Sequence, residues 1–244
     1  KTLTVDGGSY VAKINNIAGG SLVSFSLKKH LKGSEESLNL IDNQNNKNLV
    51  VSFINQSGEI VVLDEIWSVV SGGSVVLSEE NSVSSILFET VYMGKPVTKK
   101  LTFYYNSYEV DVVVNLGEIK ESSLDEKYVL SWVGGLPEHE GSQDAMFMEG
   151  LVSQAGSIES FRVGAAGFFG SSNTKNIDEE SKKYVGLVDF AGYRTKYFGV
   201  FFVPEKSDIV EVYKYPSTNR AGVDINISQG INLEKNKLYL GPLD

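Results

Sequence analysis

Apolar and polar residues alternate with a period of two along most of this chain. Val23, Phe25 and Leu27 are interleaved with Ser24, Ser26 and Lys28, and Leu101, Phe103 and Tyr105 with Lys100, Thr102 and Tyr104. Successive side chains of a strand point to opposite faces, so the pattern predicts strands with one buried and one wetted side. In "YYNSYEVDVVVNL" the pair Asn106-Ser107 separates two such runs, the second setting Tyr108, Val110, Val112 and Val114 against Glu109 and Asp111, and a tight hairpin is predicted there. The stretch Tyr197–Pro204 is apolar throughout and reads as a core strand rather than a ligand-stacking platform. Lys237–Leu240 reads as a strand whose pairing is broken by Gly241-Pro242.

Punctuation supports the same class. Gly7-Gly8, Gly19-Gly20, Gly72-Gly73 and Gly134-Gly135 read as sheet corners, because glycine supplies the positive φ that turns need. Their irregular spacing argues against a solenoid or propeller. Two short polar helices are predicted, at Ser122–Tyr128 and Asn176–Tyr184, and Gly164–Lys175 reads as a long surface loop. With no sharp shift of composition along residues 1–244, the expectation is a single all-β domain of two packed antiparallel sheets.

Composition narrows the function. Apolar residues make up 41% and charged residues 22% of 244, a folded and globular balance. Twenty-two Lys and Arg against 31 Asp and Glu leave a net charge of −9, and basic residues cluster no further than Lys28-Lys29, Lys99-Lys100 and Lys182-Lys183. Nucleic-acid binding needs a concentrated basic surface and is not expected. Cysteine is absent, which removes disulfides, thiolate metal sites and cysteine nucleophiles. The N-terminal "KTLTVDGGSY" has no apolar signal core, so any targeting segment is expected outside these residues.

Candidate chemistry is sparse. The only histidines are His30, at a strand end, and His139, in a polar loop. Both read as solvated. Glu138, His139, Glu140 and Asp144 cluster hard ligands but match neither a zinc helix nor a calcium loop, so no metal is expected. Gly164, Gly167 and Gly170 lack both the tight G-x-G turn and the βαβ setting of a dinucleotide site. No cofactor and no catalytic residue is assigned.

Six segments stand out when taken in order: "GGSLVSFSLKKH" at Gly19–His30, "LNLID" at Leu38–Asp42, "KKLTFYYNSYEVDVVVNL" at Lys99–Leu116, "LSWVGGL" at Leu130–Leu136 with Trp132, "KYFGVFFVP" at Lys196–Pro204, and "LYLGPLD" at Leu238–Asp244. Together they resemble the large periplasmic domain of YidC-type membrane protein insertases. The resemblance implies a twisted β-supersandwich like that of galactose mutarotases, held in the periplasm as part of an inner-membrane protein by helices outside these residues. It implies a role in inserting and folding membrane proteins, with nascent membrane proteins and secretion-channel components as partners, and with the insertase groove elsewhere. This domain would then be a binding or scaffold module and not an enzyme. Gly241-Pro242 would mark the return of the chain to the membrane, through an amphipathic segment and then an apolar span, with Leu238, Tyr239, Gly241 and Pro242 coupling the domain to it. The alternative on the same fold is a carbohydrate-binding or aldose-epimerase-like protein, which would need a His acid and a Glu base across a concave face.

Overall fold

The computed structural model describes residues 1–32, 36–41, 47–132, 136, 147, 149–162, 181–214, 223–231 and 235–243. Its first strands are β1 (Thr2–Asp6), β2 (Tyr10–Asn15), β3 (Ser21–Lys32), β4 (Glu36–Asn39), β5 (Val50–Ile54), β6 (Ile60–Leu63), β7 (Ser68–Ser71) and β8 (Val75–Val76). They are followed by β9 (Val83–Tyr92), β10 (Lys95–Tyr104), β11 (Glu109–Asn115), β12 (Lys127–Trp132), β13 (Glu149–Gln154) and β14 (Ser157–Arg162). The remainder are β15 (Ser181–Val185), β16 (Phe190–Arg194), β17 (Phe198–Pro204), β18 (Ile209–Lys214), β19 (Val223–Gly230) and β20 (Lys235–Pro242).

These strands form three sheets, ordered β4-β3-β2-β1-β8, β14-β13-β16-β17-β20-β11-β10-β9-β7 and β15-β18-β19-β12-β5-β6. The nine-stranded sheet is one layer of a sandwich, and the other two divide the opposite layer between them. Tyr10 of β2 donates to the Tyr104 carbonyl at 3.1 Å, while Trp132 of β12 meets Phe202 of β17 edge-on at 5.7 Å and Phe53 of β5 meets Tyr92 of β9 at 5.0 Å. One continuous apolar cluster fills the space between, including Leu101, Phe103, Val110, Val112, Phe202, Leu238 and Leu240.

The period-two reading holds through most of β10 and β11, with Val97, Leu101 and Phe103 and then Val110, Val112 and Val114 buried, although Thr102 and Asp111 between them are buried too. Tyr197–Pro204, expected to be core throughout, instead alternates, with Val200 and Phe202 buried, Phe201 half-buried and Tyr197 and Val203 exposed. In β3 it slips by one residue. Lys13 pairs with Ser24 but Ile14 with Leu22, so Val23 is an extra residue, and Leu22 is buried while Val23 is only half-buried. A bulge of this kind reverses the side-chain phase on one side of it.

The hairpin at Asn106-Ser107 is present, with Phe103 opposite Val110 and Asn106 at φ 53°. Two tighter hairpins have two-residue turns at Met93-Gly94 and Ala155-Gly156, all four residues at positive φ, as a type I′ turn requires. The described glycine pairs lie between strands, as expected; Gly134-Gly135 lies outside the described residues.

The helix expected at Ser122–Tyr128 is corrected. A short 3₁₀ segment occupies Gly117–Ser122 instead, and β12 begins at Lys127, where Tyr128, Leu130 and Trp132 alternate inward and outweigh the weak Ser cap. Of Asn176–Tyr184, the part from Ser181 is strand β15, paired with β18; the earlier part and Gly164–Lys175 lie outside the described residues.

Candidate functional site

Leu238, Tyr239, Gly241 and Pro242 lie on β20, between β17 and β11 in the middle of the nine-stranded sheet. Leu238 and Leu240 are fully buried, so Tyr239 between them turns to the outer face. Gly241-Pro242 does not break the strand: Gly241 pairs with Gly199 and Pro242 with Phe198. It is the ladder to β11 that runs out, its last pair being Glu109 with Tyr239. Leu243 donates its N–H to Tyr197 O at 2.7 Å, which fixes the phase and points the nitrogen of Pro242 toward the side β11 has vacated. A residue without an N–H loses nothing there.

On the outer face Tyr239 joins a row of half-buried rings. Phe190 and Phe201 meet at 5.6 Å, Phe201 and Tyr239 at 6.5 Å, and Tyr239 and Tyr108 at 6.4 Å between centroids. Glycines on these strands let the rings lie against the backbone. A Cβ on Gly192 would stand 2.1 Å from Phe201 Cδ1, one on Gly199 2.3 Å from Phe201 Cε2, and one on Gly241 2.7 Å from Tyr239 Oη and 2.9 Å from Tyr108 Cβ. Ion pairs flank the row, Lys237 to Glu109 at 3.1 Å and Arg194 to Glu149. Deeper on the same face, the nearly buried carboxylate of Asp111 accepts from Tyr104 Oη and from Lys235 Nζ at 2.7 Å. Burial, then the hydrogen bond to Asp111, pushes the Tyr104 hydroxyl up to about 12.

Inside the sandwich a second polar constellation joins all three sheets. Lys99 of β10 is fully buried, and its Nζ donates to Ala18 O at 2.5 Å and Leu49 O at 2.6 Å. Ala18 lies in the β2–β3 turn and Leu49 just before β5, and both hold positive φ, 53° and 54°, which turns their carbonyls inward. The Trp67 ring lies 5.7 Å from the ammonium and rests on Gly19, where a Cβ would meet it at 2.5 Å. Beside it, Asn48 accepts from Leu22 N and donates to Leu22 O, both at 2.8 Å. Burial lowers the Lys99 pKa to about 7. A further buried network, Tyr128 Oη to Gln229 Oε1 at 2.7 Å and Asn236 Nδ2 to the same oxygen at 3.0 Å, ties the six-stranded sheet to β20.

His30 lies on β3, in the five-stranded sheet rather than on the aromatic face. His139, with Glu138, Glu140 and Asp144, and the triplet Gly164, Gly167 and Gly170 lie outside the described residues. Among the described residues no group of three or more His, Cys, Asp or Glu side chains is placed to hold a metal, and no helix is long and apolar enough to cross a membrane. Sequence reasoning missed Lys99 and the aromatic row. Lys99 was visible in principle, since it shares the parity of Leu101 and Phe103.

A sandwich of this layout is galactose-mutarotase-like. Over 98% of its length the chain superposes on 97% of a galactose mutarotase related enzyme from Lactobacillus acidophilus, with a TM-score of 0.53 at 9% identity, a likeness of fold alone. Its family is more specific: residues 2–244 match the YidC periplasmic domain, and the chain belongs to that family. It is 25% identical over 261 residues to the membrane protein insertase YidC of Prosthecochloris aestuarii and 26% identical over 264 residues to that of Chlorobaculum tepidum. In both alignments all of this chain is covered but only 42% of the relative, so the chain spans less than half the length of these insertases.

Proposed function

We propose that the chain acts in the periplasm as the soluble module of an inner-membrane insertase, binding or positioning other proteins while the insertion chemistry proceeds elsewhere in the whole protein. The observation that carries this reading is the family match over residues 2–244, together with relatives that are insertases throughout. The continuous apolar cluster supports treating residues 1–244 as one unit. Its partners are nascent membrane proteins and components of the secretion channel.

Leu238, Tyr239, Gly241 and Pro242 couple this module to the membrane half. Leu238 anchors β20 in the core, Tyr239 donates to Pro242 O at 2.5 Å, and Gly241 admits the rings beside it, so the end of β20 is held stiffly rather than as a loose tether. The test replaces Gly241-Pro242 with Gly-Gly in the whole protein, which keeps the space beside Tyr108 and Tyr239 open, and measures insertion of a reporter membrane protein in cells. Insertion should fall while the thermal midpoint of the isolated chain moves by less than about 4 °C, the equivalent of ~1 kcal/mol at this size. Unchanged insertion would refute the coupling role.

A further inference from the structure

β6 is an edge strand with an unusual surface. It is hydrogen-bonded to β5 on one side and ends its sheet on the other. Asn55 donates its N–H to Glu59 O at 2.9 Å, which sets the phase of the ladder: Phe53–Val61 and Val51–Leu63 are then the hydrogen-bonded pairs. Ile60 and Val62 occupy the alternate positions and turn their N–H and C=O groups away from β5, to the side where no other strand among the described residues pairs with β6. Their side chains are 73% and 47% exposed, beside Ile54 at 37%.

The other sheet edges among the described residues are blunted in recognisable ways. β14 and β15 close on each other through Lys182 and Glu159, with Tyr184 Oη also donating to Glu159 at 3.1 Å. β7 is interrupted by a register shift between Val69 and Ser71, β8 has two residues, and the ladder of β4 to β3 is broken by a register shift between Leu27 and Leu31. β6, reading Ile-Val-Val-Leu, has neither charge nor bulge.

Charge identifies what fits. Glu59 precedes β6, and Asp64, which Lys47 pairs at 2.6 Å, and Glu65 follow it, so that even with this pairing the two ends carry an acidic excess. Antiparallel pairing of two copies of β6 would bring the Glu59 end of one against the Asp64-Glu65 end of the other, acid against acid. A foreign strand with basic flanks meets the opposite situation. We propose that β6 is a strand-addition site for an extended, apolar segment of a client polypeptide flanked by Lys or Arg, its main chain pairing with Ile60 and Val62. This rests on the client-binding reading above and gives it a location.

The test titrates a fluorescein-labelled peptide, Lys-Thr-Val-Ile-Val-Thr-Lys, into the chain, following anisotropy and the exchange of the Ile60 and Val62 amides by NMR. Saturable binding that protects those two amides is expected, with affinity lowered roughly tenfold or more by Ile60→Lys or by Glu in place of the peptide's Lys residues. Methylation of alternate peptide amides should abolish binding and makes no demand on the protein's own folding. Binding indifferent to amide methylation and to Ile60→Lys would overturn the proposal. So would protection confined to other strands, or self-association that protects Ile60 and Val62 without peptide. A whole protein whose insertion needs this domain yet tolerates Ile60→Lys would also overturn the strand-addition site, and would leave the insertase reading standing.

Discussion

Replacing Lys99 with Met keeps the length of the side chain and removes its charge and both of its hydrogen bonds. Ala18 O and Leu49 O, at 2.5 and 2.6 Å from Nζ, would be left as buried acceptors without a donor. Each such loss costs about 1–3 kcal/mol. Against this stands relief of desolvation, which has lowered the Lys99 pKa from 10.5 to about 7. The folded protein therefore binds fewer protons at this site than the unfolded chain between pH ~7 and ~10.5, and stability rises with pH across that window. The unfavourable charge burial is fully present below pH ~7 and gone above pH ~10.5, a swing of ~5 kcal/mol at ~1.36 kcal/mol per unit. At pH 7 the two effects nearly cancel, about 4 kcal/mol of lost hydrogen bonding against about 4 kcal/mol of relieved burial, and Lys99→Met should leave stability within about 1 kcal/mol of wild type, a melting temperature within roughly 4 °C. At pH 9, where the wild type carries a neutral amine that still donates twice and about 2 kcal/mol of the burial cost remains, the Met variant should be less stable by about 2 kcal/mol. Differential scanning fluorimetry of both proteins from pH 6 to 9.5 measures this. A Met variant that does not fall further behind wild type as pH rises would show that the ammonium is stabilised by its acceptors more than burial penalises it, and a Met variant more stable than wild type at pH 9 would show that the two hydrogen bonds are worth less than the remaining cost of burying the amine.

Gly192→Ala should destabilise the chain by about 3 kcal/mol in urea unfolding, because its Cβ would lie 2.5 Å from the Val200 carbonyl, which cannot swing aside as a ring can. Gly73→Ala, with nothing within 4 Å of its Cβ, is the control and should change stability by less than about 0.5 kcal/mol. Tyr128→Phe should cost about 1 kcal/mol, since Gln229 Oε1 keeps its bond from Asn236. In polarimetry with α-galactose the chain should not accelerate mutarotation above buffer; acceleration lost in His30→Ala or His139→Ala would favour an epimerase on this fold.

The layers were readable before the structure because period two survives in a single sequence: Leu101, Phe103, Val110 and Val112 announce their own burial. What could not be read is which strands become neighbours. Phe201, Tyr239 and Tyr108 form one row only because β20 inserts between β17 and β11, and nothing local in three distant segments encodes that. The same holds for the lysine hub, whose acceptors are carbonyls of turns and leave no mark on residue type. At Val23 the rule failed for a local reason, a single extra residue that reverses the phase. At Gly241-Pro242 it was incomplete, since a proline can end a ladder on one side of a strand and leave the other intact.

The position of β20 has a consequence for the order in which the domain can assemble. It bridges β17 to β11, and Lys237 meets Glu109 across 128 residues of sequence. A ribosome delivers the chain from its N-terminus, so β7, β9, β10 and β11 and then β13, β14, β16 and β17 emerge as two separate half-sheets, each with an open inner edge, and neither can join the other until β20 is available. Contacts this distant are slow to form. The domain should therefore close late and in one concerted event, and removal of residues 235–243 should release a chain that stays split and prone to aggregate, rather than one that has merely lost its final strand.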